Sequence, residues 1–367
     1  MIYNFLYFSI GLFSIASLYL KRRQRFYPVI VFGALIILFQ SLRWRTGTDW
    51  DPYLNLFKNV NTANLGHEFE TGFWLLNSCI RYFTDNYSIF LFAECSLNML
   101  FILIFLKSMS LSNPLLGLLY FFSLSVFPIR FTLATSIILL SYKFILKSKF
   151  WWFVFCVISA FLIHRTAIVF FPVYFFVRKK ISIKILLVIY IGAIILGLAA
   201  EFTFKSIITL AVSFYGNASE VLQSKMNRYL DGSVAEYATM TPLRFILSII
   251  NSSIFIFIFY WFKQKYFKEN TYYNVVFNLY VLGISLNRIF FQLIPDLARI
   301  TSYFCGGFVV MVIMIISLYS RKRQVLYTFL FVCYLYINYY NTIWGYFEKL
   351  YIPYYSILSY GERPVVF

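Results

Sequence analysis

KRRQRFYPVIVFGALIILFQSLRWRTGTDWDPYLNLF, residues 21–57, is the stretch from which the rest of the chain can be read. It opens on Lys21, Arg22, Arg23 and Arg25, runs through an uncharged apolar segment at about 28–42, and closes on Arg43, Arg45, Asp49 and Asp51. Basic clusters stay on the cytoplasmic side of a membrane. The apolar run is therefore read as a span directed outward, and the polar stretch behind it as an outer loop. Working back, residues 2–20 form a first span with the N-terminus outside. They lack the basic n-region and small-residue cleavage site of a signal peptide and are expected to stay as a helix.

Composition supports this reading along the whole chain of 367 residues. Apolar residues make up 61%, charged residues 13%, and the mean hydropathy is +0.75, beyond the range of soluble domains. Apolar windows of about 17–25 residues recur, as crossing the hydrocarbon core requires. The aromatic share of 23% fits anchoring at segment ends. The formal charge of +18 invites a nucleic-acid reading, but the basic residues fall in short clusters between apolar segments, which is the pattern of topology determinants. No nucleic-acid partner is expected. The five cysteines, Cys79, Cys95, Cys156, Cys305 and Cys333, lie inside apolar segments without metal-ligand spacing and read as packing residues.

Downstream, a polar loop leads to Glu68, Glu70 and Gly72 and then to a semi-apolar helix reaching Phe83. The next span, about 87–106, carries Glu94 and Asn98 at i and i+4 on one face; an acid at that depth is either functional or a packing group. Two apolar blocks follow, each bounded by basic clusters and interrupted near its middle, one by Arg130 and the other by His164 and Arg165. Two short crossings per block keep every cluster inside and place these residues at outer turns. A span at about 181–200 leads to a second outer region, 201–241, in which Asn217 begins a weak glycosylation sequon. Three more spans follow, with Asn287, Arg288 and Gln292 in the outer half of the second and Asp296 and Arg299 at the turn after it. A last span leads to an outer tail from about 343 to 367. The expected fold is all-α: one polytopic membrane domain, residues 1–367, with about 12 transmembrane or re-entrant helices around an outward-facing cavity and outer loops at about 43–71 and 201–241.

Counting tests this topology. The six inner clusters hold 18 of the 32 lysines and arginines but only one of the 14 acids, Glu269. The outer side holds more charge than topology needs, and much of it lies in apolar surroundings where an unpaired ion costs a few kcal/mol. Arginine presents a fixed fork of donors matched to phosphate oxygens. Arg43, Arg45, Arg130 and Arg299 are thus candidates to hold a lipid phosphate or pyrophosphate and, where a sugar is transferred from a lipid pyrophosphate, to stabilise that leaving group, with Arg165 and Arg288 as further cations and Tyr303 as a stacking surface for sugar. Asp49, Asp51, Glu70 and His164 are candidates for acceptor binding or base catalysis. No metal or other cofactor is required by this set.

The run RTGTDWDPYLNLF resembles the "R, G-x-D, Y, F" signature of the EpsG/Wzy-type polysaccharide polymerases. Further elements follow in that family's order. They are E-x-G at Glu70 and Gly72, the Arg130 turn, FxxHxxAxxxxP from His164 to Pro172, R-x-x-x-Y-F at Arg299 to Phe304, and PYYSIL from Pro353. The resemblance implies polymerisation of undecaprenyl-pyrophosphate-linked oligosaccharide repeat units for O-antigen, capsule or exopolysaccharide, at the outer face of the bacterial cytoplasmic membrane. Implied partners are those lipid-linked oligosaccharides, membrane lipids, and chain-length regulator and flippase proteins. A lipid-linked oligosaccharide flippase or a glycan ligase is the alternative, although no internal repeat of the transporter kind is visible. A membrane O-acyltransferase fits less well, because its acyl donor comes from the cytoplasm.

Overall fold

The computed structural model describes residues 2–47, 49–60, 69–127, 129–214, 242–290, 299–345 and 348–359, with the side chains of 200–214, 242, 244 and 359 excepted. Glu68, Asn217, Gln292, Asp296, most of the second outer region and the end of the tail lie outside the described residues.

Among the described residues every regular element is a helix. In order they are α1 (Ile2–Ala16), α2 (Tyr27–Ser41), α3 (Trp50–Lys58), α4 (Thr71–Phe83), α5 (Tyr87–Ser108), α6 (Pro114–Leu124), α7 (Arg130–Leu146) and α8 (Phe150–Ile163). Then come α9 (Val173–Val177), α10 (Ile183–Phe214), α11 (Pro242–Tyr266), α12 (Thr271–Phe290), α13 (Gly306–Ser317), α14 (Arg321–Trp344) and α15 (Glu348–Tyr351), with 3-10 turns at Arg165–Phe170 and Arg299–Phe304. Among the described residues five segments are long and apolar enough to cross a membrane: Ile2–Tyr19, Gln24–Ser41, Tyr87–Ser108, Phe245–Tyr266 and Arg299–Ser317. Shorter apolar helices lie between them, among them Pro114–Leu124 and Phe150–Ile163. The chain is thus an all-helical, multi-pass membrane protein. Helix α10 runs on through the first residues of the second outer region, because residues 201–214 keep an apolar, helix-forming composition.

Two compact units emerge, Met1–Tyr174 with Val309–Phe367, and Phe175–Phe308. In the first, the expected interruptions of the two apolar blocks are real breaks: α6 ends at Leu124 before Arg130 opens α7, and α8 ends at Ile163 before His164. Between α1 and α2 Arg25 donates to the carbonyls of Leu18, Leu20 and Ser112 at 3.0, 3.1 and 2.6 Å, satisfying orphan acceptors near the helix ends. Asn113 caps α6 by accepting from Leu116 N–H and donates to Ser14 O, tying α6 to α1.

Gly72 is where α4 meets α8. A Cβ there would lie 2.8 Å from both the Cβ and the carbonyl oxygen of Leu162, and backbone cannot yield as a side chain does. Gly72→Ala is therefore expected to separate the two helices and destabilise the protein by about 1–3 kcal/mol, read as a lower thermal midpoint in detergent. An unchanged midpoint would mean that the two helices tolerate wider spacing.

In the second unit, α10, α11 and α12 are joined by Arg288. Its Nη1 and Nη2 donate to Ser248 Oγ, Ser248 O and Ser252 Oγ, each at 2.9 Å, and Ser252 also bonds the Tyr190 hydroxyl at 2.8 Å. Asn278 donates to the carbonyls of Val177 and Lys179. Glu269, the one acid among the basic clusters, is bonded by Lys180 at 2.9 Å, which holds its carboxyl below the usual range.

Candidate functional site

The loop after α2 is built by backbone geometry that its sequence announces. Arg45 (φ 44°) and Gly47 (φ 96°) both take positive φ, so the chain turns sharply between Arg43 and α3. The C-terminal tail lies antiparallel against this turn: Trp44 N–H donates to Tyr355 O at 2.9 Å, Ile357 N–H to Leu42 O at 2.8 Å and Gly47 N–H to Leu350 O at 2.7 Å. The RWRTG and PYYSIL elements, at opposite ends of the chain, are thus one structure.

Arg43 is enclosed at this junction and is only 2% exposed. Its Nη1 donates to Phe127 O at 2.9 Å, and its guanidinium lies 4.7 Å from the Phe127 ring and 5.6 Å from Trp50. Ring faces offset part of the cost of burying the charge. Tyr354 closes the nest by stacking on Phe39 at 4.9 Å, and burial pushes its phenol up to about 12 against the pull of Arg43.

Beside this nest, Asp49 enters α3 in left-handed geometry (φ 60°, ψ 20°), which aspartate tolerates better than most residues. It is exposed and makes no side-chain cap bond. Asp51 lies 3.7 Å from Arg45 Nε, with both side chains partly in solvent, a pairing worth little by itself. Tyr53 turns inward against Phe73 and Phe69. Burial pushes its phenol up, against the pull of Arg130, so it remains a protonated donor.

Glu70 is the hub of the next cluster. One carboxylate oxygen accepts from Arg130 Nη1 at 2.6 Å and the other from Arg165 N–H at 3.2 Å. Arg130 also lies 5.3 Å from the Phe69 ring. His164 ends α8, placing Nδ1 2.7 Å from Thr166 Oγ1 and its ring edge-on to Phe131 at 5.3 Å. The Arg165 side chain is exposed. The E-x-G element, the Arg130 turn and the histidine element, far apart in sequence, therefore meet in one ion pair and one backbone hydrogen bond.

In the first unit the structure joins Glu70, Arg130, Arg165 and His164 in one cluster, and Arg45 with Asp51 in another. It places Arg43 inside the protein. Arg288, Arg299 and Tyr303 belong to the second unit, where Arg288 is buried among serines, Arg299 is exposed at the start of its 3-10 turn and Tyr303 is buried. Sequence reading did not place Phe127, Tyr354, Phe69 or Thr166 in the site. The tail motif was the only signal for the first two. Among the described residues no three His, Cys, Asp or Glu side chains gather as a metal site.

The family model of the EpsG family matches residues 25–356. No curated protein and no solved structure matches the chain.

Proposed function

Because the chain belongs to the EpsG family, we propose that it is a polysaccharide polymerase, a membrane glycosyltransferase that joins undecaprenyl-pyrophosphate-linked repeat units at the outer face of the bacterial cytoplasmic membrane. The observation that carries the reading is the convergence on Glu70 of Arg130 and Arg165, which gathers separate sequence elements into one cationic site.

In this reaction a hydroxyl of the next repeat unit attacks the anomeric carbon of the growing glycan. The bond to the pyrophosphate breaks, and the electron pair leaves with the undecaprenyl pyrophosphate. Arg45, Arg130 and Arg165 of the first unit supply cations for that leaving group. Arg43 sets the turn that presents Arg45. Asp49 is the preferred base: it is exposed and makes no side-chain cap bond, whereas Glu70 uses both oxygens and Asp51 faces Arg45. His164 and Tyr53 orient the acceptor, and Arg288 and Tyr303 shape the second unit.

Helix α6 has 11 residues, about 16 Å of helix against roughly 30 Å of hydrocarbon. With its N-terminal end at the inner interface, the Arg130 turn sits below the outer surface. Irregular backbone at that depth is stable only where it lines protein or an aqueous cavity, which suits a recessed site.

Asp49→Asn keeps the size of the side chain and removes its basicity. It is expected to slow extension of lipid-linked repeat units in isolated membranes by about 100-fold or more at wild-type abundance. Extension at the wild-type rate would refute the assignment of the base.

A further inference from the structure

Arg43, Trp50, Tyr87 and Glu94 come from the α2 end, the α3 start and one face of α5, and are 2%, 4%, 5% and 2% exposed. Each carries a buried polar atom that finds no hydrogen-bond partner among the described residues: Arg43 Nε, Trp50 Nε1, the Tyr87 hydroxyl and Glu94 Oε1. The other oxygen of Glu94 meets only the Cys95 thiol, at 3.5 Å. Arg43, Trp50 and Tyr87 are neighbours, and Glu94 follows Tyr87 two turns on along the same buried face of the helix. Trp50 stands edge-on to Tyr87 at 5.1 Å and 5.6 Å from the Arg43 guanidinium. Asn98, with its Oδ1 also unpartnered among the described residues, continues the same face one turn beyond Glu94.

One buried polar atom without a partner costs free energy, and native proteins hold few of them. Four in one place, from separate elements, call for a common ligand. Two are N–H donors, one is a carboxylate acceptor and one is a phenol able to do both. A phosphate would suit the donors but would meet the Glu94 carboxylate. An acyl chain would satisfy none of the four. A sugar ring offers hydroxyls that donate and accept, and an apolar face for Trp50 and Tyr87. We propose that Arg43, Trp50, Tyr87 and Glu94 form an internal subsite for the hydroxyl groups of a sugar ring in the lipid-linked glycan. This deepens the polymerase reading and rests on it for the source of the sugar.

Tyr87→Phe and Glu94→Gln test it with little change of shape. Purified full-length protein is titrated with the matching undecaprenyl-pyrophosphate-linked repeat unit, and separately with bare undecaprenyl pyrophosphate, while the thermal midpoint is followed. Without ligand, Tyr87→Phe is expected to melt at or above the wild-type midpoint, since it removes an unpaired hydroxyl. Each variant should bind the repeat unit about tenfold more weakly and bare undecaprenyl pyrophosphate as wild type does. Wild-type affinity for the repeat unit in both variants would overturn the subsite and leave internal water as the partner of these atoms. Equal weakening toward both probes, or no wild-type response to the repeat unit, would overturn it as well. A wild type that binds the repeat unit with this pattern but never extends it would sink the polymerase reading and leave the subsite standing.

Discussion

Membranes carrying Glu70→Ala are expected to leave repeat units unextended, with activity down by about 100-fold or more. The side chains of Glu70 and Arg130 are 11% and 21% exposed, so the carboxylate compensates a guanidinium that is largely withdrawn from water. Removing one partner of a buried pair costs about 3–5 kcal/mol, and partial exposure lowers that here. The same carboxylate accepts from Arg165 N–H and so holds the entry to the 3-10 turn behind His164. Its loss frees the Arg130 and His164 elements together. Displacing a substrate-positioning group by about 1 Å can by itself cost 100-fold. Glu70→Gln keeps an acceptor for Arg130 but loses the charge, and an intermediate loss of about tenfold is expected. Rates measured at matched abundance decide the matter: wild-type extension by Glu70→Ala would show that the knot is not needed.

Gly47→Ala is expected to act on the fold itself. At φ 96° an L-residue is strained, and an added Cβ would lie 3.0 Å from Phe127 Cβ and 3.2 Å from Arg43 Nη1. The conformational penalty alone is about 1–2 kcal/mol. Relief of the contacts would move Phe127, whose carbonyl holds Arg43, and would disturb the Gly47 N–H bond to Leu350 O. A loss of about 3 kcal/mol or more is expected, seen as a much lower thermal midpoint and poor recovery from membranes. Full recovery with a wild-type midpoint would contradict this account of the turn.

Much of this organisation was legible in the sequence because it follows local rules. Charge clusters bounded the apolar blocks, and their internal polar residues marked the breaks at Arg130 and His164, where α7 begins and α8 ends. The glycines of the R-T-G and E-x-G elements were visible, although their reasons differ: Gly47 serves a positive φ and Gly72 a close helix approach. The ordered motifs also pointed to the family to which the chain belongs.

What the sequence did not reveal depends on distant contacts. Hydropathy places an arginine near a boundary but does not say which way its guanidinium faces, and Arg43 faces inward onto Phe127. The contact between Thr46 and Tyr355 joins residues 309 positions apart, beyond any periodicity. Glu94 and Asn98 were seen to share a face, but that Glu94 Oε1 and Asn98 Oδ1 find no partner among the described residues appears only in the packed protein. Some apolar helices are also shorter than a full crossing, as α6 shows, because the chain breaks where its polar turns need protein around them.

The most direct test of the account uses a cell without its own polymerase but with the matching repeat-unit pathway, in which surface glycan length is compared for wild type and Asp49→Asn at equal abundance. The account predicts a ladder of extended glycans with wild type and single repeats with the variant. Single repeats with wild type, although those repeats reach the outer face of the membrane, would contradict it.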